Sequence, residues 1–133
     1  MRKNVLIGAL LLVGVMAVST LAAGDMAPSR RSALVNFERH TVIAGVFVIG
    51  HVVIVHDDEK MARGEACTTV YHYDAKAVAG EGKSVVAFMC EPKARPVIQK
   101  ARLTSSRLSP SGPDRLIEYQ LAGEIEGHGV PSR

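Results

Sequence analysis

The sequence predicts an all-β domain, either a small antiparallel sandwich or a partly open barrel, and three observations carry that prediction. Beyond residue 24 no segment has the periodicity of a long helix. Strand-like runs recur at roughly regular spacing between glycine-rich turns. The six aromatic residues, Phe37, Phe47, Tyr71, Tyr73, Phe88 and Tyr119, all fall in those runs.

Length and charge bound the rest. With 133 residues there is room for one domain. The formal charge is +3, but Arg2 and Lys3 lie in the first segment and all 13 acids follow it, so the remainder carries 14 − 13 = +1. A near-neutral domain is a poor nucleic-acid binder, and that class is excluded.

Residues 1–24 are predicted to be a secretory signal peptide. They start with Arg2-Lys3, continue with an apolar run from Val5 to Val18 and end in Ala22-Ala23-Gly24. Small residues at the first and third positions before the cut place cleavage after Gly24 or after Ala22. The competing reading is an uncleaved anchor, since Val5 to Ala23 is 19 residues long and about 20 apolar residues span a bilayer. No cysteine precedes Cys67, which argues against a lipid anchor. The expected location is therefore the periplasm or the outside of the cell, with no membrane span in the mature chain.

Within the mature chain, residues 25–32 read as a flexible leader, 33–126 as a single β-rich domain and 127–133 as a surface tail. Ala33 to Glu38 suits a first strand. The apolar run Val42 to Val55 is too short for a membrane helix and too β-branched for a soluble one, so Thr41 to His56 is expected to form core strand, bent near Gly45 or Gly50. Asp57 to Gly64 is polar and suits one helical turn, started by an aspartate cap and stopped by the glycine.

Cys67 to Tyr73 and Ser84 to Cys90 are expected to pair as an antiparallel hairpin. With Cys67 opposite Cys90, Thr69 faces Phe88, Tyr71 faces Val86 and Tyr73 faces Ser84. In an exported chain two cysteines are expected to be joined, and the loop so closed stabilises by roughly 3 kcal/mol. A second hairpin joins Ala101–Arg107 to Arg115–Gly123 through a Pro- and Ser-rich turn, with Ile117, Tyr119 and Leu121 on the dry face. The basic stretch Lys93, Arg95, Lys100, Arg102 and Arg107 lies beside an acidic arm, residues 114–126, and the two are expected to form cross-strand ion pairs.

Candidates for chemistry are sparse. His51, His56, Asp57, Asp58, His72 and His128 could ligate a metal, and His56-Asp57-Asp58 is the best grouping because a strand end followed by acids offers nitrogen and oxygen together. An acidic turn with a capping aspartate explains the same residues without a metal. No serine sits in a nucleophile elbow, and no Cys-x-x-Cys redox pair is present. Glu124 and Glu126 suit surface acids better than a glycosidase pair.

The run from His56 to Tyr71, the segment Phe88-Met89-Cys90-Glu91-Pro92 and the stretch from Glu118 to Pro131 resemble a family of small exported bacterial proteins without assigned activity. The resemblance implies an envelope or secreted location, supports pairing of Cys67 with Cys90 and supplies no catalytic residues. The expected function is a non-catalytic exported β-domain with a structural or binding role, its partner an envelope component or another protein. No cofactor is expected. The alternative is a metal-binding protein or metal-dependent enzyme using a divalent ion on His56, Asp57 and Asp58.

Overall fold

The structure is a computed structural model that describes residues 29–133. The expected signal peptide and the first half of the leader, residues 25–28, lie outside the described residues. Eight strands follow: β1 (Arg30–Ile43), β2 (Val46–Asp57), β3 (Thr68–Tyr73), β4 (Glu81–Phe88), β5 (Glu91–Ala94), β6 (Arg102–Arg107), β7 (Asp114–Gln120) and β8 (Glu126–Gly129), with one short helix, α1 (Asp58–Ala62), after β2. The all-β expectation holds. No helix among the described residues is long and apolar enough to cross a membrane.

The sheet runs β4-β3-β2-β1-β7-β8-β5, with β6 paired to β7 off that path. β4 and β5 are at opposite ends of that path yet consecutive in the chain, joined by Met89 and Cys90 alone. A link that short reaches only about 10 Å. The sheet must therefore curl until its two ends approach, which makes the partly open barrel. It is a mixed sheet, because β1 runs parallel to β7 at Thr41 and Val42 while the other pairs are antiparallel.

The β1–β2 hairpin explains the long apolar run. Ala44 and Gly45 both have positive φ, 47° and 84°, the geometry of a two-residue turn whose twist matches that of the strands. A Cβ at Gly45 would come within 2.7 Å of the Arg133 carbonyl oxygen, so the chain end packs on this turn. Along β2, Val52 to His56 are all buried, since neighbours cover both faces there. α1 matches its expectation: Asp57 Oδ1 accepts from the Glu59 and Lys60 amides, and Gly64 stands at φ 71° beyond its end.

Three expectations are corrected. First, in the β3–β4 hairpin Thr68, not Thr69, faces Phe88, and Val70 faces Val86. A one-residue slip reverses the faces, and the observed register is the one that gathers Val70, Val86 and Phe88 on the core side. Second, the sheet overruns the expected domain limits, because β1 begins inside the leader and β8 starts at Glu126 and runs on into the expected tail as a paired strand. Third, β7 does not alternate: a register shift between Thr104 and Ser105 lets Leu116 and Tyr119 both point inward, while Ile117 is left outside.

Two of the five expected basic residues, Arg95 and Arg107, pair with acids of the 114–126 arm. Arg107 lies 3.7 Å from its register partner Asp114. Arg95 grips the buried Glu118 carboxylate with two bonds of 2.8 Å, and the guanidinium holds Glu118 below the usual carboxylate range. An unfolded glutamate titrates near pH 4.3. With the folded value lower, the stabilisation is complete above that pH and is lost as pH falls through the folded value. Replacing Glu118 by Gln is expected to flatten the acid limb of a plot of urea midpoint against pH; parallel limbs for the two proteins would show that the pair contributes nothing.

Candidate metal centre

Where the two ends of the curled sheet approach each other, five side chains with metal-binding atoms meet. His56 is the penultimate residue of β2, and Cys67 directly precedes β3; the Asp57 amide donates to the Cys67 carbonyl at 2.9 Å, tying the two together. Cys90 is half of the link between β4 and β5. His128 lies on β8, opposite Tyr119 of β7 and Pro92 of β5. Glu124 comes from the turn before β8. His56, Cys67 and His128 are at most 2% exposed and Cys90 is 9% exposed.

The sulfurs of Cys67 and Cys90 stand 2.8 Å apart as two free thiols, so the expected bridge is not formed in this structure. The Cys90 amide donates to Cys67 Sγ at 3.2 Å, and Cys90 Sγ lies 3.5 Å from His128 Nδ1. Burial, with the neighbouring thiol, pushes the Cys90 pKa up to about 12. An anionic sulfur here needs a cation beside it.

Each imidazole has a carboxylate beside one nitrogen, hydrogen-bonded in His128 and in ion-pair contact in His56. His128 Nε2 is 2.8 Å from Glu124 Oε2 and donates to it, which leaves Nδ1 bare toward Cys90. An oxygen of Asp58 faces His56 Nδ1 at 3.3 Å. The opposite nitrogen, His56 Nε2, is the only buried side-chain nitrogen or oxygen among the described residues that lacks a hydrogen-bond partner. A carboxylate on one nitrogen, with the other free, is how ligating histidines are commonly held. Desolvation keeps His56 below its ordinary value, so it is neutral at pH 7 and its lone pair is available.

The rings stack. His56 lies 4.0 Å from His128 between centroids, and His128 lies 4.8 Å from Tyr119. The Tyr119 hydroxyl bonds Thr68, and burial raises its pKa, so it stays a neutral wall. Burial alone would push Glu124 upward, but the interactions led by the hydrogen bond from His128 outweigh it and hold the carboxyl below its usual range. Two triplets of ligand atoms lie within 4.8 Å of one another, His56–Cys67–Cys90 and His56–Glu124–His128, with His56 common to both.

The grouping expected from sequence is thus only partly assembled. His56 is in the cluster. Asp57 spends its carboxylate on the helix cap, and Asp58 touches His56 from an exposed position rather than reaching the sulfurs. His51 and His72 are exposed on the sheet, away from the cluster. Glu124 was legible only as a surface acid, and the sulfurs only as each other's partners. A surface recess of about 580 Å³ between Arg39, Phe47 and Ile49 includes none of these residues. Comparison with protein-family models, curated proteins and solved structures finds no match to this chain.

Proposed function

We propose that this chain is a small exported β-domain that holds one thiophilic divalent ion, zinc in the first place, on Cys67, Cys90, His56 and His128. The observation that carries the reading is the orphaned His56 Nε2, buried beside two thiols and a second imidazole that is likewise held by a carboxylate. Two sulfurs and two imidazoles select zinc over magnesium or calcium, which prefer oxygen. On zinc at about 2.3 Å the sulfurs sit roughly 3.7 Å apart, so binding opens the pair by about 1 Å. Four protein donors complete a tetrahedral shell, which suits a structural or storage centre and not a catalytic one. Asp58 and Glu124 act as the carboxylates behind the histidines. Export is supported by the charged start, apolar run and small-residue end of residues 1–24.

A second reading has its own observation. Sulfurs 2.8 Å apart need little movement to reach a disulfide bond of about 2.05 Å, and an exported chain meets oxidising conditions. The two readings exclude each other at any moment, since a bridged sulfur offers no thiolate.

Native mass spectrometry of the protein recovered from the exported fraction separates them. The expected species begins at Asp25 and carries one zinc. A metal-free chain, whether a dithiol or about 2 Da lighter through loss of two hydrogens, overturns the metal centre, and an intact Met1 overturns cleavage.

A further inference from the structure

The cluster is buried, so an ion needs a way in. Directly outside it lies a recess of about 180 Å³ whose wall includes Asp58, Glu124, Glu126 and Arg31. Two of these carboxylates are the groups already in contact with the imidazoles: Asp58 with His56 and Glu124 with His128. Two carboxylates of its wall thus touch the two rings directly. Three acids against one guanidinium give it a negative potential that concentrates cations. Arg31 offsets part of that potential; its Nε is 4.0 Å from Glu124 Oε1, and its side chain is 23% exposed.

The order of ligands from the surface inward has a chemical sense. Glu124, His128 and His56 form the outer triplet, an oxygen and two nitrogens. His56, Cys67 and Cys90 form the inner one, a nitrogen and two sulfurs. Because His56 belongs to both triplets, an ion can exchange the harder donors for the softer ones while it stays within reach of the same ring.

We propose that this recess is the loading port of the metal centre: a divalent cation enters between Asp58, Glu124 and Glu126 past Arg31, is caught by Glu124 and the two histidines, and passes through His56 to the sulfurs. The inference rests on the metal-centre reading above and adds the route.

The test is stopped-flow binding of cobalt(II) to the reduced full chain, followed by sulfur-to-cobalt charge-transfer absorption. Arg31→Gln removes the positive charge from the port, and Ile125→Lys adds one at a 68% exposed position on its wall. At low ionic strength the first is expected to bind about 3- to 5-fold faster than wild type and the second slower by a similar factor. Both differences are expected to shrink at about 1 M salt, where the Debye length is near 3 Å. The final spectrum is expected to be the same in all three proteins. Equal rates with intact charge-transfer bands overturn the port and leave the centre standing. An altered final spectrum in Arg31→Gln also overturns the port, because Arg31 would then act on the inner donors. Absence of the band in wild type overturns the centre itself. Should Arg31→Gln fail to fold, the rate of Ile125→Lys decides alone.

Discussion

Saturating the reduced protein with zinc is expected to raise its Tm by roughly 10–20 °C, and a chelator is expected to reverse the rise. A ligand at 100 times its Kd that binds only the folded state stabilises by about 2.7 kcal/mol. For a domain near this size each kcal/mol moves Tm by about 4–8 °C. The donors are brought together only by folding: His56 and Cys67 flank α1, Cys90 lies in the β4–β5 link and His128 on β8. The unfolded chain therefore binds more weakly. Calorimetry with and without zinc measures the effect, and His56→Ala is expected to abolish the zinc response while itself remaining folded. A zinc-dependent shift under about 2 °C in wild type would mean that the donors do not form a centre.

Truncating Phe88 to Ala is expected to cost about 3–5 kcal/mol, the range for a buried phenylalanine. That is a large share of the 5–15 kcal/mol that holds a domain together. Phe88 is 1% exposed. It faces Thr68 across the β3–β4 ladder, and Thr68 bonds the Tyr119 hydroxyl, so the side chain fills the space between the hairpin and the far side of the curled sheet. The readout is the urea midpoint at unchanged m-value, which isolates stability from any change in the unfolded ensemble. Phe88→Leu, which leaves a smaller void, is expected to lose less than half as much. A cost below about 1 kcal/mol for Phe88→Ala would show that the ring does not fill the core.

Much of the fold was legible in local chemistry. Asp57 as a helix cap, Gly64 beyond the helix end, the turn-rich connector between β6 and β7, and the β-branched run through β2 each depend on neighbours in sequence. Backbone conformation and hydrophobic period act at that range. Register was less legible. The Cys67–Cys90 pairing and the Val70–Val86 pairing differ by one residue, and only the packing of Val70 and Phe88 against Tyr119 and Leu116 selects the second.

The candidate centre divides along the same line. By itself the sequence determined that this is a β-rich chain and that Cys67 and Cys90 would be near each other, because both flank one hairpin. It also marked His56 as a residue able to ligate. Only the tertiary structure decided that His128 and Glu124 belong with them and that Asp57 does not. His128 is 72 positions from His56 (128 − 56), and what closes that distance is the curl of the sheet, which brings β8 up against the ends of β2 and β4. That curl follows from a two-residue link between the strands at opposite ends of the path. It is a property of how all eight strands pair, and no local spacing encodes it.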